Sequence, residues 1–402
     1  MRKKLFGIMA ALLAGAGVAH AQQSSGLNSS ALLPAQYGAP ADYGQSYPGA
    51  MLQGADMGAY SQVQNQQGQP QAQAPQAATA NPSTCAPCQQ LCCPEPWKIK
   101  GWIGGDFQIW FPEATNLPAN LITSGPAGTG TQLVGTSFYM PFNLGFRVDT
   151  GTWLNEEMSR GVQSITNVFF ANAGTINIPA GSFINSAGFP LSGAPFSAAG
   201  VVTGSSAFQD TDANTIRRLI NSENTKVYAL YGPKFAALEE DLSFSYTIGG
   251  TGFFDEFHTR NYFTGAQAGV WIVENIGPFV ADLQALCAIG YSYSNLTVIG
   301  KTGFGNTSAL TNDANIGYYG SGYFSVLPEV NGNIALKLTE RIQVRVGYSF
   351  MAYLNVQRPG DQIVPAIAPG VLAGAPHSAP VVPLTASTFI IHGLNVGASW
   401  HF

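Results

Sequence analysis

Three groups of side chains in this 402-residue chain are of types and spacings that do chemistry. Asp210-Thr211-Asp212 sets two carboxylates one residue apart, and Asp255, Glu256 and His258 put two acids beside an imidazole. Paired carboxylates with a histidine can activate water by general-base catalysis. The third group is Cys85, Cys88, Cys92 and Cys93, in CAPCQQLCC. Four thiols can hold a tetrahedral zinc ion. Adjacent Cys92 and Cys93, short spacings and the exported setting argued below favour disulfides, within the knot or to a second chain. Nothing in the sequence brings Asp210 and Asp212 beside His258, because the two acids fall inside a strand. There is no GxSxG elbow, HExxH helix or phosphate-cradling glycine loop. The expectation is a chain that is not an enzyme and carries no cofactor or resident metal.

The elements that position these residues alternate with a period of two, so one face of each strand is apolar and the other polar or small. Trp97 to Phe111 carries Ile103, Phe107, Ile109 and Phe111 opposite Asp106 and Gln108. Phe138 to Val148 sets Phe138, Met140, Phe142, Leu144, Phe146 and Val148 against Asn143, Gly145 and Arg147. Phe279 to Tyr291 opposes Leu283, Cys287 and Ile289 to Asp282 and Gln284, with Cys287 a small apolar residue on the greasy side. The hairpin Val330 to Phe350 turns at Thr339-Glu340, with Lys337, Gln343 and Arg345 on its polar face. Weaker runs lie at Val162 to Phe170, Val202 to Ile220, Lys226 to Leu238 and Tyr262 to Val273. The last run, Phe389 to Phe402, places Leu394, Val396, Trp400 and the final Phe402 on one face.

These runs give ten strands, or twelve if Leu242 to Thr251 and a neighbour form another hairpin. Long connections are expected near 112–137, 171–201, 239–261, 294–320 and 355–386, and short ones near 150–160, 221–225, 274–278 and 339–341. Such alternation suits outside loops and periplasmic turns. Charged residues are only 10% of the chain, against about 25% in ordinary globular domains, and glycines number 47. The part after the leader has no apolar run near the roughly 20 residues of a membrane helix. Low charge without such runs fits transmembrane strands, whose apolar residues alternate with interior ones. In hydrocarbon every backbone group must be paired within the protein, which selects a closed cylinder over an open sandwich. The expected fold is therefore all-β, a closed antiparallel transmembrane barrel over residues 97–402. Asp106, Gln108, Arg147, Asp282, Gln284, Lys337, Gln343 and Arg345 would face its lumen and fill it as an ion-paired plug. A narrow diffusion channel for small solutes is the alternative.

Residues 1–21, MRKKLFGIMAALLAGAGVAHA, have a basic start, an apolar centre and an Ala19-His20-Ala21 cleavage site, the pattern of a cleaved secretory signal peptide. Residues 22–96 are rich in Gln, Ala, Gly and Pro and nearly uncharged until the cysteine cluster, and read as a disordered periplasmic spacer. A net charge of −5 gives no support to nucleic-acid binding.

A terminal strand ending in Phe resembles that of outer-membrane β-barrels, where it closes the barrel and is read by the barrel-assembly machinery. FDEFHTRNYFTGAQAGV (254–270), LPEVNGNIALKLTERIQVRVGYSF (327–350), NVQRPGDQI (355–363), GLNVGASWHF (393–402) and FRVDTGTW (146–153) resemble the planctomycete outer-membrane β-barrel family. The resemblance covers about Trp97 to Phe402. It implies an outer-membrane address, contact with outer-membrane lipid and a single-chain barrel, and it carries no catalytic residues. The family pattern continues with an acid where this chain has Val364. Arg260 and Arg358 are expected to tie loops to the rim, Pro359-Gly360 to set a fixed turn, and the long loops to meet cell-wall or surface partners.

Overall fold

The structure, a computed structural model, describes residues 100–126, 129–185, 194–303, 305, 308–311, 315–364 and 382–402. The signal peptide, the spacer, Cys85, Cys88, Cys92, Cys93 and Trp97 lie outside the described residues. In chain order the strands are β1 (Gly101–Pro112), β2 (Thr115–Asn116), β3 (Ile122–Thr123), β4 (Ser137–Phe138), β5 (Asn143–Trp153), β6 (Arg160–Ile178) and β7 (Phe183–Ile184). There follow β8 (Gly200–Asn221), β9 (Thr225–Ile248), β10 (Thr251–Ile276), β11 (Phe279–Thr302), β12 (Gly317–Lys337), β13 (Ile342–Val356) and β14 (Ser387–His401). Ten of them close a barrel in the order β1-β14-β13-β12-β11-β10-β9-β8-β6-β5, while β2 pairs β4 and β3 pairs β7 in the loops.

All ten barrel pairings are antiparallel. The ring closes where β1 pairs both β14 and β5, so no barrel edge is left without a partner for its backbone groups. Beyond β14, Gly101 and Phe402 exchange two backbone hydrogen bonds of 3.0 Å each. Leu394, Val396, Trp400 and Phe402 are each about half exposed on the outer face, while Asn395 between them is fully buried. Inner and outer sides therefore alternate as the period of two requires.

Three expectations are corrected. The connection placed at 239–261 is not a long loop: β9 and β10 run on to a two-residue turn at Gly249-Gly250, whose φ angles of 59° and 84° suit glycine. Leu242 to Thr251 is the top of that hairpin and its turn, so the barrel has ten strands and not twelve. Likewise β11 and β12 extend well into 294–320. Phe138 and Met140 do not face lipid but are buried beneath the outer loops, and the barrel strand begins at Asn143.

One cause lies behind these differences. Along the lower part of β9 the outward residues Tyr231 and Phe235 are apolar, as are the inward Tyr228, Leu230, Ala236 and Leu238 on either side of Lys234. Above Leu238 the inward residues Leu242, Phe244, Tyr246 and Ile248 are apolar and buried, and Glu239, Asp241, Ser243 and Ser245 point out. The strand continues while its outer face turns from apolar to polar, because above the bilayer water replaces lipid outside. The apolar inner face there packs against loop residues including Leu117, Leu121, Leu310 and Ile363.

Candidate functional site

The barrel interior is built in layers. Nearest the periplasmic turns, Trp102 and Trp153 stack at 5.7 Å, Trp153 and Tyr228 at 5.3 Å, Tyr228 and Trp271 at 5.1 Å, and Trp271 and Trp102 at 6.0 Å between ring centroids. Four rings from β1, β5, β9 and β10 thus meet in a closed circuit across the bore.

Above them Arg345 of β13 reaches across to two carboxylates. Its Nε and Nη2 donate to Asp106 at 2.6 and 2.9 Å, and Nη2 also donates to Asp149 at 2.7 Å. A planar guanidinium suits such a forked grip. Asp282 accepts from Asn333 at 3.0 Å, and Asn333 in turn accepts from Asn395 at 2.7 Å.

A second ionic centre stands on Lys234, whose side chain is fully buried. Its Nζ lies 2.6 Å from Asp210, 2.6 Å from Glu329 and 3.8 Å from Asp212. Asn167 donates to Asp210, Asn214 to Asp212, Asn331 to Glu329 and Gln267 to Asn214, all within 2.9 Å. A buried charge is tolerable only when paired and hydrogen-bonded in this way.

An apolar layer follows, with Trp110, Phe169, Phe208, Phe263, Tyr353 and Phe389 among its members. On top of it lies the NVQRPGDQI segment. Arg358 is 1% exposed and donates to both oxygens of Glu240 at 3.0 and 2.8 Å. It also donates to the carbonyls of Ala114 and Glu113 at 2.8 and 3.0 Å, and it sits 5.3 Å from the centre of the Phe389 ring. Asn261 receives the Gln357 N–H and donates back to the Gln357 carbonyl, both at 2.9 Å. A Cβ on Gly360 would fall 1.7 Å from the Asn116 carbonyl oxygen, so only glycine fits there. The RPGD turn is thus a strap drawn into the barrel mouth, tying β9 and β10 to the loop after β1.

The sequence-predicted lumen residues fall as follows. Asp106, Gln108, Arg147 and Gln284 are buried, and Asp282 and Arg345 lie among them. Lys337 and Gln343 pair in register beside the turn at the periplasmic rim, where Lys337 is exposed and donates to Asn275 at 2.8 Å. Sequence reasoning missed Lys234, Asp149, Glu240 and Glu329. Lys234 and Glu329 fall between outward neighbours (Phe235, Pro328 and Val330), so the same alternation was a usable signal.

The barrel wall separates Asp210, Asp212 and Asp255 from His258, while Glu256 shares the outer face with it. Asp210 and Asp212 face inward onto Lys234, whereas His258 is on the outer face. There His258 is paired through Nδ1 with Asp241, and its Nε2 is 3.4 Å from Glu239. These three side chains could converge on a cation. However, Glu239 already takes two hydrogen bonds from Arg260, at 3.1 and 2.9 Å, so two cationic groups answer two carboxylates. Arg260 therefore closes an outer-face ion pair and does not tie a loop. The bond from Asp241 holds the His258 imidazolium to higher pH than usual. Asp255 faces inward near the top of β10, and burial raises its pKa to about 6. It accepts from Thr311, Tyr246, Ser308 and the Leu310 N–H at 2.7, 2.8, 2.9 and 3.2 Å.

A closed antiparallel barrel with an apolar outer belt, aromatic rims and a charged interior defines an outer-membrane β-barrel. More particularly, the chain belongs to the family described as Putative beta barrel porin-7 (BBP7), whose model matches residues 102–402. No curated protein matches it. Among solved structures it is similar to the outer membrane protease OmpT from Escherichia coli, at 10% identity over 76% of this chain and 96% of that one, with a TM-score of 0.43. It is also similar to a Pseudomonas aeruginosa FadL homologue, at 6% identity over 76% and 90% with a TM-score of 0.22. A third is the P. putida toluene transporter TodX, at 10% identity over 76% and 90% with a TM-score of 0.14. These likenesses carry no argument about activity.

Proposed function

We propose that this outer-membrane barrel has a structural or surface-contact role, with its lumen filled by side chains and its outer loops and tall β8–β12 wall presented for contact. The observation that carries this reading is the pair of ionic centres, on Arg345 and Lys234, each joining strands up to three places apart around the ring, between aromatic layers. Six strands, β1, β5, β8, β9, β12 and β13, supply the charged groups of those two centres, which pair with one another. The same reading assigns no catalysis, since the paired Asp210 and Asp212 lie on the inner side of the wall and His258 on the outer, where it is held in an ion-paired cluster with Asp241, Glu239 and Arg260. It also takes the first 21 residues as a cleaved export signal, β14 as the strand read by the assembly machinery, and cell-wall or surface components as the loops' partners. Purified full-length protein in a planar bilayer is expected to give no large, stable conductance steps. Such steps from wild-type protein would overturn the filled lumen and favour the second reading, a narrow porin-like channel, which the family's description supports.

A further inference from the structure

The lipid-facing belt is not uniform. A tilted strand crosses the hydrocarbon in about 9–11 residues, and counted up from the exposed Leu219 this takes β8 to Gln209. Its outward side chains above Leu219 are Arg217, Thr215, Ala213, Thr211 and Gln209, none an apolar group larger than alanine. On the neighbouring β6, Thr166 and Ser164 lie beside Thr211 and Ala213. On five other strands the belt is greasy: Phe107 on β1, Ile289 on β11, Ile334 on β12, Val346 on β13 and Val396 on β14 are each 43–55% exposed, while β10 presents the small Thr264, Ala266 and Ala268. Thr166 and Thr211 bond to each other at 3.1 Å and Ser164 donates to the Asp212 carbonyl at 2.9 Å, whereas the Gln209 amide makes no side-chain hydrogen bond among the described residues. Hydrocarbon tails offer hydroxyl and amide groups nothing, and polar side chains at this depth act as contacts between membrane segments.

A second, separate feature tops the same stripe. At the outer boundary a hollow of about 350 Å³ opens on the outer face. Ala207 and Ala237 form its floor, Phe170 and Tyr262 its walls, and the Glu239–Arg260 ion pair its upper rim.

The geometry points to this face, the polar stripe of β6 and β8 with Tyr231 and Phe235 of β9 along its edge, as the interface with a second copy of the chain, the two barrels standing parallel about a two-fold axis. Threonine, serine and glutamine each donate and accept, so the stripe complements itself. The rim pair does so too, since Glu239 of one copy can face Arg260 of the other. Each barrel has this polar face once, with an aliphatic wall opposite, so like must meet like and the assembly stops at two instead of running round a ring. The hollow then receives a bulky side chain from the second copy.

This inference rests on the chain being a membrane-spanning barrel, which is checked independently by the heat-dependent gel mobility of each variant. Full-length protein in lipid vesicles, counted by single-molecule photobleaching, is expected to be mainly dimeric. Gln209→Leu with Thr211→Leu, which makes the stripe lipid-like, should raise the dissociation constant at least tenfold, and Val346→Thr on the far side should not. Thr211→Cys on a background with Cys85, Cys88, Cys92, Cys93 and Cys287 all changed to serine should form a disulfide between copies, and the background alone should not. Wild-type protein that stays monomeric as the protein-to-lipid ratio rises would overturn the proposal. So would a heat-shifting barrel with no cross-link at position 211 and a lipid retained in native mass spectra, which would assign the hollow to a lipid.

Discussion

Asp255 shows how far a single carboxyl depends on its surroundings in this protein. It lies above the bilayer at the top of β10, fully buried, and desolvation raises its pKa from 3.8 to about 6 against four opposing hydrogen bonds. A raised carboxyl pKa means that the folded chain keeps its proton at a pH where the unfolded chain has released it. Stability contributed here is fully present below about pH 4, declines as pH rises to about 6 and is level above, with a total of up to about 3 kcal/mol. Asp255→Asn keeps the shape and an acceptor oxygen, and the hydroxyls of Tyr246, Ser308 and Thr311 can turn to suit it. Urea unfolding of vesicle-embedded protein between pH 4 and 7.5 should therefore show a wild-type curve that falls relative to the Asp255→Asn curve. Parallel curves would mean that the carboxyl is solvated. The sequence marked Asp255 as chemically interesting beside Glu256 and His258 for the wrong reason. Adjacent residues on a strand face opposite sides, and no local signal shows that Ser308 and Thr311 come from another loop to meet it.

At the scale of elements, the lower barrel was legible because lipid outside and polar groups inside give every strand one phase of alternation. The ten strand centres, the hairpin at Thr339-Glu340 and the closing strand follow from it. The upper barrel was not, because the outer face of β9 turns polar above Leu238, and a reading that follows the lipid-facing apolar residues ends the strand there. Following the inner face instead recovers it: Leu242, Phe244, Tyr246 and Ile248 keep the period of two that Tyr228, Leu230, Ala236 and Leu238 begin. The turn joining β9 to β10 is the point where this tall hairpin is most exposed to sequence. Gly249 and Gly250 both have positive φ, as a two-residue turn matching strand twist requires. A β-branched residue in that conformation costs about 1–2 kcal/mol. Gly249→Val should lower unfolding stability by about that amount, and Gly249→Asn by clearly less, since asparagine tolerates left-handed backbone. Equal losses for the two would point to side-chain bulk and not to backbone strain.

Across the whole molecule the layers along the bore repeat one device: residues from distant strands meet at the centre, first aromatic, then ionic, then aromatic again, then the Arg358 strap. The motif that carried the family resemblance, NVQRPGDQI, is the strap, and its arginine and glycine are accounted for by burial against Glu240 and Asn116 without any ligand. The charges in the sequence could be placed inside but not paired, because Arg345 with Asp106 spans 239 residues and Arg358 with Glu240 spans 118. If the lumen is filled as proposed, the layers act in series, and removing one leaves the rest. Arg358→Ala frees the strap and leaves Glu240 without its cation, yet the Lys234 and Arg345 centres remain below it. Arg345→Ala opens the lower ionic layer but leaves the strap. Each single variant is expected to stay non-conducting in a planar bilayer. Arg358→Ala with Arg345→Ala is expected to stay closed as well, because the four-ring circuit, the Lys234 centre and the apolar layer beneath the strap remain. Steady conductance from Arg358→Ala alone would make the strap the sole seal, and the interior beneath it a wet channel.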